Sequence, residues 1–231
     1  MAENRWIVAI TGASGTVYAR RLLRVLVERV DDIRLDVIVS PAGLRVLRDE
    51  EGLAVSPSRL TAELLLGIPT DAVTVYCDEP SSRVTMHDYR NLGASIASGS
   101  YPTRGMVIVP CSMKTLAAVA HGYAENLIAR AADVTLKERR RLIHVPRETP
   151  LSAIHLQNML RLARLGVAIV PAMPGFYHRP ASIDELVEMM VMRILDQMGY
   201  EIDLAKRWSG TGPSHGLPSE SGGSLRRSDP R

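Results

Sequence analysis

A chain of 231 residues that is 46% hydrophobic carries enough apolar material for a full core, as one domain or one domain with a tail. No apolar run approaches the roughly 20 residues that a bilayer span needs, and the opening Met-Ala-Glu-Asn-Arg-Trp has no signal-peptide hydrophobic region, so a cytoplasmic protein without membrane contact is expected. The two cysteines, Cys77 and Cys111, form no disulfide framework and suggest no metal site, and a net charge of +3 gives no nucleic-acid signature.

Residues 5–10 read as a buried strand, 11–15 as a tight loop and 16–29 as a helix with Leu22, Leu23, Leu26 and Val27 on one side. Strand, glycine loop, helix opens a doubly wound sheet. A second strand spans 33–40, Pro41 opens a helix to about Glu51, 60–66 is a further helical piece and 73–76 a short strand. Period is lost from 77 to 104, and so long a loop in a compact domain points to function or mobility. Regularity returns with strand 106–110, helices within 112–139, strand 141–145, helix 152–165, strand 167–170 and helix 182–198. This alternation predicts an α/β fold with a doubly wound, mainly parallel sheet. The helix around Val187 to Leu195 is apolar over most of its circumference, and a subunit interface is its expected second cover. From Ser209 the chain lacks apolar residues to pack, so 209–231 is expected to be a disordered tail.

Polar residues behind a buried strand are where ligands of open α/β sheets bind. Thr11-Gly12-Ala13-Ser14-Gly15 offers backbone N–H groups and a positive helix end to a phosphate; a plain strand-to-helix turn is the bland account. A short-chain dehydrogenase would want Lys four residues after a Tyr, and no tyrosine has one; a serine hydrolase elbow would need Gly where Thr16 stands. Ser112-Met113-Lys114-Thr115 can cap a helix and hydrogen-bond a planar ligand, while Cys111 reads as a small buried filler. Arg147 and Glu148, between two prolines at a strand end, suit an anion and a proton, with a structural ion pair as the competing account. After the last strand Tyr177 offers a phenol and His178 a structural hydrogen bond; Arg193 interrupts an apolar helix, either reaching water or meeting an anion.

The ordered set Thr11-Gly-Ala-Ser-Gly15, Ser98-Gly-Ser100, Pro110-Cys-Ser-Met-Lys-Thr115, Arg130 to Arg139, Val145-Pro-Arg-Glu-Thr-Pro150 and Pro174-Gly-Phe-Tyr-His-Arg-Pro180 resembles the UbiX-like flavin prenyltransferases from about Trp6 to Trp208. The resemblance implies a flavodoxin-like, Rossmann-like fold in a single flavoprotein domain over 1–208, and a homo-oligomer, often a dodecamer. It implies a metal-independent enzyme that moves a dimethylallyl group from dimethylallyl phosphate to N5 and C6 of reduced FMN, the prenylated FMN passing to a UbiD-type decarboxylase. By the same likeness Gly12, Ala13, Ser14, Ser40, Ser112, Met113, Lys114, Thr115 and Arg147 hold FMN. Tyr177 and Arg193, with Lys137 and Arg130 nearby, bind the prenyl phosphate; Ser14, Glu50, Glu148 and Lys137 match catalytic positions, and Trp208 an aromatic that covers the site. Cations suit a departing phosphate oxyanion, and π faces an allylic cation. Arg193's apolar helix further suggests that the site draws on more than one chain. Pro41 stands where many relatives carry Lys, and the tail is longer than the pattern. An FMN-dependent cysteine decarboxylase would carry Pro-Ala-Ser-Ala-Asn-Thr where this chain has Pro110-Cys-Ser-Met-Lys-Thr115, and a non-catalytic FMN carrier would not need Glu50, Lys137, Glu148, Tyr177 and Arg193.

Overall fold

The computed structural model describes residues 4–56, 59–67 and 83–207. The expected strand at 73–76, Cys77, Trp208 and the tail lie outside the described residues. Six strands, β1 (Arg5–Ile10), β2 (Arg34–Val39), β3 (Val84–His87), β4 (Gly105–Cys111), β5 (Arg141–Pro146) and β6 (Ala168–Ile169), form one sheet in the order β3-β2-β1-β4-β5-β6. Every pairing is parallel, so the doubly wound reading holds in a stricter form. β1, β2, β4 and β5 are buried almost throughout because helices cover both faces, which is why these strands read as near-continuous apolar runs, with Asp36 and His144 as buried polar exceptions, rather than alternating ones.

One core layer packs Val8, Ile10, Val37 and Val107 with α1 (Thr16–Arg29), α2 (Pro41–Glu51), α3 (Ala62–Leu66) and α7 (Ile183–Met198). The other packs Ile7, Ala9, Ile38 and Ile108 with α4 (Met113–Ala120), α5 (Leu127–Lys137) and α6 (Ala153–Arg164). The helices start where short polar side chains accept the orphan N–H groups of the first turn: Ser40 for α2, Ser112 for α4, Asn126 for α5 and Ser182 for α7.

Two expectations change. β3 lies inside the stretch read as loop; its residues are half-polar, and what makes it a strand is its ladder to β2 and the 2.7 Å contact of His87 Nε2 with the buried Asp36. Helix α7 needs no subunit to cover it: Val187, Met190, Val191, Met192, Ile194 and Leu195 are buried within the chain. The segment after α7 supplies part of the cover through Tyr200, Ile202 and Leu204, packed against the same core.

Candidate active site

The chain enters at β1, builds outward to β3, then returns to β4, so β1 and β4 are neighbours whose onward connections diverge. Such a switch point opens a crevice at the carboxyl ends of the strands. Thr11, buried just past β1, closes its base: its hydroxyl donates to Pro110 O at 2.7 Å and accepts the Ser112 N–H at 2.7 Å. Around it Ser40 N–H bonds Ile10 O at 3.0 Å, Arg147 N–H bonds Cys111 O at 3.4 Å and Ala172 N–H bonds Pro146 O at 2.9 Å. The residues that follow β1, β2, β4 and β5 are thereby held side by side.

Gly12 is required by close approach: a Cβ there would lie 2.4 Å from Ala42 Cβ, so only glycine lets the first turn of α2 pack on this loop. Gly12 and Ser14 are exposed and Ala13 is buried. The Ser40 hydroxyl accepts from Gly43 N–H at 3.0 Å, and the Ser112 hydroxyl is 3.1 Å from Thr115 Oγ1 and 3.3 Å from Thr115 N. Helix geometry leaves the N–H groups of Met113 and Lys114 without a partner inside α4, pointing from the helix start. Arg147 Nε donates to Ser14 O at 3.3 Å, tying the loops after β1 and β5 together. Half-buried Glu148 lies beside it and accepts Thr149 N–H at 3.0 Å.

The start of α1 is built differently from the sequence expectation. Its N–H groups are held by Glu50 at the end of α2: Gly15 N donates to both carboxylate oxygens at 3.1 and 3.0 Å, and Thr16 N to one at 3.1 Å. Partial burial raises the Glu50 carboxyl, but bonds from Ser14, Gly15 and Thr16 outweigh it and hold the group below its ordinary value. An incoming phosphate would meet a carboxylate at this helix end, which leaves the start of α4 and Arg147 as the anion-facing groups of the crevice. Sequence reasoning counted Thr11 within the loop but gave its hydroxyl no role, and it missed Thr16; a hydroxyl immediately after the glycine loop is the signal that marks the latter.

Cys111 is the small buried filler expected. Burial pushes its thiol far up, and Sγ lies 3.7 Å from His144 Nδ1, itself buried so completely that its pKa falls to about 3. A neutral thiol and a neutral imidazole are poor partners for nucleophilic work.

The remaining predicted residues are not gathered here by one chain. Tyr177, about half exposed, follows β6 and stacks edge-on to His178 at 5.5 Å; the Gly175 N–H reaches Met189 Sδ at 3.5 Å, which rests this loop on α7. Arg193 sits about 6 Å further along α7 than Met189, where it pairs with Asp196 at 3.0 Å, one turn from Gln197, which meets Arg141 at the start of β5. Lys137 ends α5 and pairs with Glu138; Arg130 bonds Ala97 O at 3.2 Å and Asp133 at 2.8 Å. Beside them stand Ser98 and Ser100, 2.8 Å apart, and Arg140 donates to Gly99 O and Tyr101 O. This basic cluster reaches the amino end of the sheet at Lys137 and Arg140, beside the start of β5, with Arg130 about 10 Å back along α5. β5 separates it from Arg147, and six strand residues span about 20 Å.

A model of the flavoprotein family matches residues 1–195. The chain is 46% identical to the flavin prenyltransferase UbiX of Methanothermobacter thermautotrophicus, over 88% of its own length and 95% of that protein's. Among solved structures it resembles a dodecameric FMN-dependent UbiX-like decarboxylase from Escherichia coli O157:H7, at 40% identity and TM-score 0.75, covering 89% of this chain and all of that one. It also resembles AnUbiX (PadA1) in complex with FMN and dimethylallyl pyrophosphate, at 35% identity and TM-score 0.75, covering 91% of this chain and all of that one.

Proposed function

The chain belongs to the UbiX-like flavin prenyltransferases of the flavoprotein family, and from that premise we propose how its residues divide the work. It is an FMN-binding enzyme that transfers a dimethylallyl group from dimethylallyl phosphate to reduced FMN. The crevice suits that ligand: an approach kept open by Gly12, hydroxyls from Ser14, Ser112 and Thr115, and free N–H groups at the start of α4 beside Arg147 fit a flat, hydrogen-bonding ring with an anionic arm. Gly12, Ala13, Ser14, Ser40, Ser112 to Thr115 and Arg147 hold the flavin. When bound in its reduced form, FMN supplies N5 and C6 as the atoms that take the prenyl group.

Around it the chain positions charge and protons. Glu148 holds or releases a proton at its carboxylate, as general acid–base work requires. Tyr177 lines the substrate end. Lys137, Arg130 and Arg193 neutralise the departing phosphate, and because one chain places them at the far end of its sheet, they reach the crevice from a neighbouring copy in a homo-oligomer. Cations thus hold the departing phosphate directly on this reading. Trp208 stands three residues of chain beyond Ala205 and is assigned the covering role on sequence grounds alone. The product, prenylated FMN, serves a UbiD-type decarboxylase in the cytoplasm; no described helix is long and apolar enough to cross a membrane.

The observation that carries the reading is the meeting of Ser14, Ser112 and Arg147 at the β1–β4 switch point. Anaerobic incubation with reduced FMN and dimethylallyl phosphate tests it: mass spectrometry should find a flavin heavier by one prenyl unit. An unaltered flavin mass would favour carriage or decarboxylation instead.

A further inference from the structure

Thr16 is buried completely at the first position of α1, yet its hydroxyl faces two carboxylates. Oγ1 lies 2.9 Å from Glu50 Oε2 and 2.9 Å from Glu51 Oε1. A hydroxyl carries one proton and can donate to only one of them. The second oxygen, at hydrogen-bond distance from a lone pair, is satisfied when its own carboxyl carries a proton and donates to Thr16. The arrangement lets a proton that arrives at either carboxyl pass through the Thr16 hydroxyl to the other.

Each carboxyl is fixed from behind. Glu50 is held by Gly15 N–H on both oxygens and by Thr16 N–H, on the crevice side where Ser14 meets Arg147. Glu51 turns its other oxygen to Arg20, which is itself anchored on Leu65 O at 2.7 Å. Beyond Glu51 lies a cavity of about 330 Å³ lined by Arg20, Arg21, Arg24, Asp184 and Glu188. Asp184 is exposed at its rim, and a volume of that size holds several waters.

We propose that Glu50, Thr16 and Glu51 form a proton relay that joins the ligand crevice to this arginine-lined cavity on the other side of α1. A proton on Glu50 passes to Thr16 Oγ1 as the Thr16 hydroxyl proton passes to Glu51 Oε1, and Glu51 releases it to cavity water. Two protons each cross one hydrogen bond: the Glu50 and Thr16 O–H bonds break as new Thr16 and Glu51 O–H bonds form, so one unit of negative charge passes from Glu51 to Glu50 until Glu51 gives its proton to water and both are carboxylates, with Arg20 and the Gly15 and Thr16 amides steadying either end. Tyr18 from α1, Arg20, Arg21 and Arg24 along the same helix, and Asp184 and Glu188 from α7 are the charged or titratable groups that face the pair. The consequence is that Glu50 can be recharged while a flavin covers its crevice side. This rests on the reading of Glu50 as a proton-handling residue of the site.

Infrared titration of the ligand-free protein, following the protonated-carboxyl band, tests the relay with Thr16→Val, Thr16→Ser and Glu51→Gln. The wild type and Thr16→Ser should show two coupled steps about one pH unit or more apart, Thr16→Val should draw them together, and Glu51→Gln should remove one. Steps unchanged by Thr16→Val would overturn the proposal. Because no ligand is present, this outcome is independent of prenyl transfer. In turnover, Thr16→Val should slow repeated cycles about tenfold more than a single cycle on preloaded enzyme, with Thr16→Ser restoring both. Equal slowing of single and repeated cycles would mark Thr16 as merely structural. If Thr16→Val fails to fold, Glu51→Gln carries the same comparison.

Discussion

The two ends of one sheet carry the two halves of the predicted site, and they are built in opposite ways. At the carboxyl end, Thr11, Ser112, Arg147 and Ser14 are tied to one another by bonds that cross between strands far apart in sequence. At the amino end, Lys137 and Arg130 pair with acids on their own helix or next to it, and Lys137 is exposed. Cross-strand bonds fix geometry for a flat ligand before it arrives. Local pairs between exposed side chains are worth little and are readily exchanged for a stronger anion. One protomer thus preorganises the proposed flavin crevice but only presents, rather than assembles, the cations proposed to hold phosphate.

Changing the carboxyl end should do the most damage. Glu148→Gln should cut prenyl transfer by about 100-fold or more while FMN stays bound, the size of a lost general acid or base; rate and bound flavin measured on the same sample check both halves, and unchanged turnover would remove Glu148 from the chemistry. Next, Thr11→Val strips two bonds and leaves the part-buried Ser112 N–H unpaired, while Pro110 O keeps the 3.3 Å bond from the residue-11 N–H, so denaturant unfolding should show a loss of about 1–3 kcal/mol, with FMN affinity falling too. Thr11→Ser should recover both, since it restores the hydroxyl.

Between the two ends, His144 sharpens the comparison through pH. Burial holds it neutral down to about pH 3, whereas in the unfolded chain it takes a proton near 6.5. The unfolded state therefore binds more protons between these values, and stability falls as the pH drops from 6.5 toward 3, by at most about 1.4 kcal/mol per unit. His144→Leu should flatten that part of a melting-temperature profile; an unchanged slope would place the acid sensitivity elsewhere. The smallest effect on folding belongs to Arg193→Ala, which breaks an exposed pair with Asp196 worth under about 1 kcal/mol. It should nevertheless weaken use of the prenyl phosphate more than FMN binding, and the reverse ranking would reassign Arg193.

Much of this was legible in the sequence. The strands of the centre are near-continuous apolar runs, interrupted only by Asp36 and His144 after their first residues, and α4 starts at the Ser112 cap, so these elements could be read directly. β3 could not, because an edge strand of four residues is held by its neighbour and by Asp36 rather than by its own pattern. The cover of α7 was misjudged because Tyr200, Ile202 and Leu204 are spaced too sparsely to announce a packed segment. Within the site, Ser14, Ser112 and Arg147 meet as expected from their positions behind strands. That Glu50 returns to occupy the start of α1 was hidden, since a contact across 35 residues leaves no local trace.

The division of labour between the two ends is tested most directly by mixing protomers. Lys137→Ala and Glu148→Gln enzymes, each nearly inactive, are unfolded, mixed and refolded together, and prenyl transfer is then measured per subunit. The account predicts that mixed oligomers regain activity, because an intact crevice from one copy can meet an intact Lys137 from another. Activity no higher than the average of the two parents would contradict it and confine the site to a single chain.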